Sequence, residues 1–227
     1  GSCQRRKHVE SHTNQVIVLA GGEPIAIDRT FDLPDGAYVI AADSGLHHAE
    51  TLRLNADLVV GDMDSVDADV LNGAVRRGSS LRRYPPDKDS TDLELAFEEA
   101  LEKGARRILV VGSHAGRLDH LLASMGLLAR TAQLVDEIVW SDGHTIVTTC
   151  TPSHSTAISG RPGDRLSLIP AGSDANGVTT DGLRWSLDGE TLPAGSTRGV
   201  SNVMDAPLAS ITIQEGTLLV VHERTRA

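Results

Sequence analysis

The stretch AYVIAADSGLHHAETLRLNADLVVGDMDS, residues 37–65, decides the fold. It holds two nearly continuous apolar runs, AYVIAA (37–42) and ADLVVG (56–61), and acid follows each: DSG after the first, DMDS after the second. Apolar character without alternation marks strands buried on both faces. The polar chain between them reads as a helix, with His47 and His48 on its surface. The same rhythm extends outward through QVIVLA (15–20), a weaker SSLRRY (79–84), RILVVG (107–112) and EIVWS (137–141). One helix starts at Ser90-Thr91, where Thr91 and Glu94 have capping-box spacing and Leu93, Phe97, Ala100 and Leu101 share a face. Another runs from Leu118 to Arg130, with Leu118, Leu121, Leu122, Met125 and Leu128 as its stripe. Strand–helix alternation of this kind predicts a mostly parallel, Rossmann-like α/β sandwich.

Beyond Gly143 the texture changes. TIVTTC (145–150), RLSLIP (165–170), GVTT (177–180), LRWSL (183–187), ASITI (209–213) and TLLVVH (217–222) are short strands separated by Gly, Pro, Asp and Ser. Asp188-Gly189, between LRWSL and ETL, is a strong hairpin signal. The expected organisation is a flexible tail over 1–14, an α/β domain over 15–143 and a smaller antiparallel β-sandwich over 144–227.

The 227 residues suffice for a large hydrophobic core, and apolar and charged fractions of 40 % and 23 % fit a globular chain. Aromatics are 3 %, so the core must come from Ala, Val, Leu and Ile. A net charge of −10 argues against nucleic acid as a partner and suits cations. Two cysteines, Cys3 and Cys150, make neither a disulfide framework nor a four-thiolate zinc site, so a cytoplasmic setting is expected. The first fourteen residues lack the apolar core of a secretory signal, and no apolar run has membrane-spanning length.

Chemistry is expected at the carboxyl ends of the strands, where open α/β sheets bind ligands. Asp43, the pair Asp62 and Asp64, the group Asp87, Asp89 and Asp92, and Asp119 all fall there or at helix starts. Asp67 and Asp69 read instead as the first turn of a surface helix, and Asp92 fits a helix-dipole role as well as a site role. On extended chain Asp62 and Asp64 would face one side, roughly 7 Å apart, where a divalent cation bridges such a pair. Gly112 and Gly116 bracket a turn into a helix N-terminus, a ready phosphate site, and Gly21-Gly22 is a weaker one. Lys88 and Arg117 interleave with the acids. GxGxxG, the P-loop, HExxH and GxSxG are all absent.

In this order and spacing, AADSGLHHA, GDMDS, PPDKDSTDLELA and GSHAGRLDHLLASMGLL resemble the thiamine pyrophosphokinase family. GVTTDGLRWSLDGETLPAGSTRGVSN is similar to that family's thiamine-side segment, and the likeness runs from Val16 to Val221. The resemblance implies a homodimer with active sites between subunits. The implied reaction is transfer of pyrophosphate from ATP to thiamine, releasing AMP. By position, Asp62, Asp64 and Asp92 would be Mg²⁺ ligands, with Asp43 near the same cluster. Lys88 and Arg117 would meet the triphosphate, with Ser90, Thr91, Gly112 and Gly116 in the nucleotide-binding blocks. Asp119 would orient a neighbour or the hydroxyl nucleophile. Trp185 would stack on the thiamine pyrimidine, with Ser201 and Asn202 beside it; without the resemblance Trp185 reads as a core or hairpin residue. Ser44 stands where many relatives have Gly, and His114-Ala115 where Thr-Gly is common. Three rival readings keep some of these features: a pyrophosphokinase for another alcohol such as a hydroxymethyl pterin, a nucleotide-sugar transferase using Asp62 and Asp64, and a non-catalytic thiamine or nucleotide sensor.

Overall fold

The computed structural model describes residues 14–25, 31–85, 87 and 89–225. The expected tail over 1–14 lies outside the described residues apart from Asn14, as does Cys3.

The first half alternates as the sequence predicts: β1 (Gln15–Leu19), β2 (Tyr38–Ala42), α1 (Leu46–Leu52), β3 (Leu58–Gly61), α2 (Ala68–Arg76), β4 (Ser80–Arg83), α3 (Asp92–Glu102), β5 (Arg107–Val111), α4 (Leu118–Thr131) and β6 (Glu137–Ser141). Strands follow one another in the rest: β7 (Thr145–Cys150), β8 (Thr156–Ser159), β9 (Arg165–Pro170), β10 (Ala175–Asp181), β11 (Glu190–Leu192), β12 (Asn202–Val203), β13 (Leu208–Thr212) and β14 (Leu218–Glu223). The large sheet has the order β12-β9-β14-β7-β6-β5-β1-β2-β3-β4. From β4 to β6 every pairing is parallel, and from β6 to β12 every pairing is antiparallel. The division expected at 143/144 therefore falls on a hairpin inside one sheet, with Val139 opposite Thr148. A second sheet, β11-β10-β13-β8, lies apart from it.

Side-chain alternation sends the strands' apolar residues both ways. Val16, Val18, Ile40, Leu58 and Val60 meet Phe97 and Ala100 of α3 and Leu128 of α4. Ile17, Leu19, Val39 and Val59 meet Leu46 and Ala49 of α1 and Ala74 of α2. A third core, with Cys150, Leu166, Leu168, Val178, Ile211 and Val220, joins the antiparallel part of the large sheet to the second sheet. Three expectations change. His48 is buried rather than on the helix surface, at 3 % exposure. Leu118 and Leu122 of the α4 stripe are exposed, because only the C-terminal half of that helix buries side chains against the sheet, at Leu128 and Ala129. LRWSL is not a strand: Leu183 makes a single bridge to Met204, and 182–189 is the connection from β10 to β11. The chain leaves the ladder at Gly182, whose φ of 76° and close approach to the Leu208 carbonyl suit glycine alone. No helix among the described residues is long and apolar enough to cross a membrane.

Candidate active site

The acids converge where parallel strands end. β2 runs directly into a 3₁₀ turn, Asp43–Gly45, and α3 begins at Asp92 behind an N-cap in which Thr91 Oγ1 accepts from the Glu94 N–H at 3.2 Å. Between them β3 ends at Gly61, with φ of 137°. A Cβ at Gly61 would lie 3.1 Å from both Asp43 Cβ and Asp92 Oδ1, so only a bare backbone lets the two acids close in.

The pair Asp62 and Asp64 is not extended, as the spacing alone suggested. Met63 between them is left-handed, with φ of 65°, and its side chain is buried. The Asp64 N–H donates to Asp62 Oδ1 at 3.2 Å, the local bond typical of a turn. A turn brings the carboxylates closer than a strand would. Asp43, Asp62 and Asp64 each offer an oxygen, and these oxygens lie within 4.8 Å of one another. Asp92 stands beside Asp43 at Gly61, next to this triplet rather than inside it. Asp43 is buried, and its Oδ1 has no hydrogen-bond partner among the described residues. Burial, then the charges of Asp92 and Asp62, raise its carboxyl above the ordinary value; bonds from the Ser44 backbone and the Ser65 side chain pull the other way. A buried oxygen without a partner, inside a group of like charges, is a donor set that fits a hard divalent cation.

From this acid end a cleft of about 890 Å³ runs along the sheet edge, past Gly21, Ser44 and Gly116 to Trp140. Ser90, Thr91, Asp62, Asp92 and Arg117 also line it. A Cβ at Gly21 would meet Ser44 Oγ at 2.7 Å and the Ala42 carbonyl at 3.3 Å, so the bare backbone leaves room for Ser44 to turn toward it. Gly112 is engaged with the sheet: its N–H donates to the Ser141 carbonyl at 3.2 Å, its carbonyl accepts from Trp140 Nε1 at 2.9 Å, and a Cβ would press on Ala20. It is a packing glycine and does not line the cleft. Arg117, at the N-cap of α4, grips Asp119 through Nη2 at 2.6 Å and Nε at 3.2 Å. The Arg117 bond lowers the Asp119 pKa, and both side chains are largely exposed. Lys88 lies outside the described residues.

On the antiparallel side, Trp185 is 58 % exposed on the 182–189 connection. Its backbone is held by Asn202, whose Nδ2 donates to the Trp185 carbonyl at 2.7 Å and whose Oδ1 accepts from the Trp185 N–H at 3.2 Å. Asn202 is thus a buried brace for the loop, while Ser201, with φ of 62°, bends the chain into it. Trp185, Ser201 and Asn202 do not line the cleft of their own chain. Sequence reasoning missed Glu23, His120, Ser124 and Trp140, all of which do. Trp140 had a signal: it sits near the carboxyl end of an expected strand.

Fold and cleft define a doubly wound α/β protein with a carboxylate-walled cleft at its sheet edge, joined to an antiparallel β unit. Residues 33–139 match the family model for the thiamin pyrophosphokinase catalytic domain, and residues 153–218 match that for the thiamin pyrophosphokinase vitamin B1 binding domain. The chain belongs to the thiamine pyrophosphokinase family. Thiamine pyrophosphokinase of Bacillus subtilis (strain 168) is 27 % identical over 209 residues, covering 90 % of this chain and 96 % of that protein. Thiamine pyrophosphokinase 1 of Oryza sativa subsp. japonica is 30 % identical over 168 residues, or 71 % of this chain, which spans 64 % of the rice protein's length. The crystal structure of the Bacillus subtilis enzyme superposes with a TM-score of 0.79 at 22 % identity, covering 93 % of this chain and all of that one. That of thiamin pyrophosphokinase from Candida albicans gives 0.74 at 14 %, covering 93 % of this chain and 89 % of that one; both show the shared fold.

Proposed function

We propose that this chain transfers pyrophosphate from ATP to the hydroxyl of thiamine, giving thiamine diphosphate and AMP. One observation carries the reading beyond family membership: the Asp43, Asp62 and Asp64 oxygens gather within 4.8 Å at one end of a cleft of about 890 Å³. The hydroxyl oxygen attacks the β-phosphorus and releases its proton to solvent, the bond from that phosphorus to the α,β-bridging oxygen breaks, and AMP departs with the electron pair. Asp43, Asp62 and Asp64, with Asp92 beside them, would hold Mg²⁺, which when bound neutralises the triphosphate and keeps its oxygens in line. Arg117 and Lys88 add fixed positive charge, and the turn at Gly116 and the start of α3 at Ser90-Thr91 offer N–H groups to phosphate oxygens. Asp119 keeps the Arg117 fork aimed. Trp185 offers a flat face for the thiamine pyrimidine, on a loop braced by Asn202 and bent by Ser201.

Two observations support a homodimer that shares its sites. The Trp185 segment does not line the cleft of its own chain, and Leu118 and Leu122 stand exposed on α4, the helix whose start borders that cleft. A second subunit would supply the Trp185 face. A reducing cytoplasm belongs to the same reading, since Cys150 is a buried free thiol.

The test is AMP release in the presence of thiamine and Mg·ATP, with the product identified by mass. Asp62→Asn and Asp64→Asn are each expected to abolish turnover without loss of fold. Arg117→Ala should slow it about a hundredfold, near 3 kcal/mol of transition-state stabilisation. Near-normal rates for either aspartate variant at saturating Mg²⁺ would overturn the assignment.

A further inference from the structure

One side chain beside the cleft has no part in the proposed chemistry. His114 lies in the turn from β5 to α4, the turn that also carries Ser113, Ala115, Gly116 and Arg117 to the cleft wall. His114 itself does not line the cleft. Its ring turns inward onto the Trp140 indole, with centroids 5.4 Å apart and planes tilted by 46°. The side chain is 16 % exposed, and neither ring nitrogen has a hydrogen-bond partner among the described residues. A carboxylate oxygen, Asp142 Oδ2, lies 3.5 Å from Nδ1.

The neighbours of His114 are themselves fixed. Trp140 is 4 % exposed, packs in the main core and donates its indole N–H to the Gly112 carbonyl at 2.9 Å. Asp142 Oδ1 accepts from the His144 and Thr145 N–H groups at 2.8 and 2.7 Å, closing the hairpin on which the large sheet turns antiparallel. By contrast, the turn beyond His114 has little of its own to hold it: the Ala115 N–H meets Ser113 Oγ at 3.0 Å, Gly116 has a φ of 103°, and the α4 N-cap makes no side-chain hydrogen bond. Ala115, Gly116 and Arg117 are exposed. Through His114 this turn leans on the Trp140 ring, a broad and buried surface.

We propose that His114 is a positioning residue: wedged between the Trp140 indole and the Asp142 carboxylate, it sets the register of the β5–α4 turn and so the place of Gly116 and Arg117 against a bound triphosphate. The inference rests on the cleft being a Mg·ATP site. It assigns the effect to the nucleotide side, because the residues that this turn carries to the cleft, Gly116 and Arg117, are those proposed to meet the triphosphate. The ring, more than its charge, does the wedging. Phe in its place keeps the stack on Trp140, whereas Ala opens a gap beneath the turn.

The experiment measures Mg·ATP and thiamine dissociation constants by calorimetry, the melting temperature, and KM for each substrate against kcat, for the unmodified protein, His114→Ala, His114→Phe and Trp140→Phe. The expected result is a roughly tenfold weaker Mg·ATP affinity and raised Mg·ATP KM for His114→Ala. Thiamine binding should hold within about twofold, and His114→Phe should recover most of the loss. Trp140→Phe keeps a ring but frees the Gly112 carbonyl, and should weaken Mg·ATP in the same direction by less. Mg·ATP affinity unchanged in His114→Ala, or thiamine and Mg·ATP weakened equally in both His114 variants, would overturn the positioning role while leaving the function standing. An unmodified protein that does not bind Mg·ATP would overturn the reading of the cleft and this inference with it.

Discussion

Asp43→Asn should make the metal-free protein more stable while removing its response to Mg²⁺. Asp43 is 8 % exposed, and its carboxylate shares a 4.8 Å cluster with Asp62 and Asp64. Two unit charges at that distance repel by about 3.5 kcal/mol at an effective dielectric of about 20 and by about 0.9 kcal/mol in bulk water. Asp62 is half-buried and Asp64 exposed, so the true value lies between these limits. Relief of about 2 kcal/mol is a fair expectation, or about 4–8 °C in melting temperature for a chain of this size. Asparagine is the right probe for three reasons. It is nearly isosteric, it keeps an acceptor for the Ser44 and Ser65 bonds, and it tolerates the left-handed φ of 46° at this position. Alanine would confound charge with backbone strain. The assay is thermal unfolding at pH 8 in chelator, then across a Mg²⁺ titration. The parent should gain about 2.7 kcal/mol when Mg²⁺ exceeds its dissociation constant a hundredfold. The variant should start higher and stay flat. A variant that melts at or below the parent in chelator, or that still climbs with Mg²⁺, would refute the idea that three crowded carboxylates wait for a cation.

Trp185→Ala should weaken thiamine binding at least tenfold more than Mg·ATP binding and leave the melting temperature unchanged, because Asn202 holds that loop by its backbone; calorimetry showing equal losses would count against the stacking role. In Asp164 burial alone would raise the pKa, but bonds from Thr225, the Arg161 backbone and His222 hold it below the usual 3.8. Its folded-state pKa is depressed, so its stabilisation is complete above the unfolded value and is lost as pH falls through the folded one. Asp164→Asn should cost about 3 kcal/mol at pH 7 and flatten the acid-side loss of stability, as read by urea unfolding between pH 7 and 3. Sedimentation at micromolar concentration should show a dimer, and a monomer with full activity would exclude a site shared between subunits.

The alternation of helix and strand was readable because the inner parallel strands β1, β2 and β3 are buried on both faces, which leaves unbroken apolar runs in the chain, whereas the exposed edge strand β4 left only the weak SSLRRY signal. The capped start of α3 was readable for an equally local reason: Thr91 and Glu94 sit three apart and meet as a cap. What sequence could not carry was any feature decided by a partner far along the chain. LRWSL has the composition of a strand, but Gly182 meets the Leu208 carbonyl and the chain turns out of the ladder. Leu118 and Leu122 fit a buried stripe, yet the sheet does not extend beneath them. His48 looked like surface because its helix was read without the chain that covers it.

The acid cluster shows the same limit more finely. The residue types at 43, 62 and 64 were legible, but the geometry that unites them was not, since spacing alone suggested an extended pair. The structure uses turns instead, with left-handed backbone at Asp43, Gly61 and Met63 in succession. Of the four non-glycine residues with positive φ among those described, two are in this cluster, one caps α1 at Arg53, and the fourth is Ser201 at the foot of the Trp185 loop. Left-handed conformations for such residues cost on the order of 1 kcal/mol each, and persist only where the surroundings over-determine them. Here the surroundings are strands buried on both faces, with Met63 pinned into the α1–α2 core. Strain and like-charge repulsion therefore fall on the same few residues, and both are terms that a bound cation and its polyanion would offset. On the proposed reading, a chain selected for stability alone would relax them, for instance by the Asp43→Asn change, and their coincidence at this edge of the sheet is what exchanging stability for binding would produce.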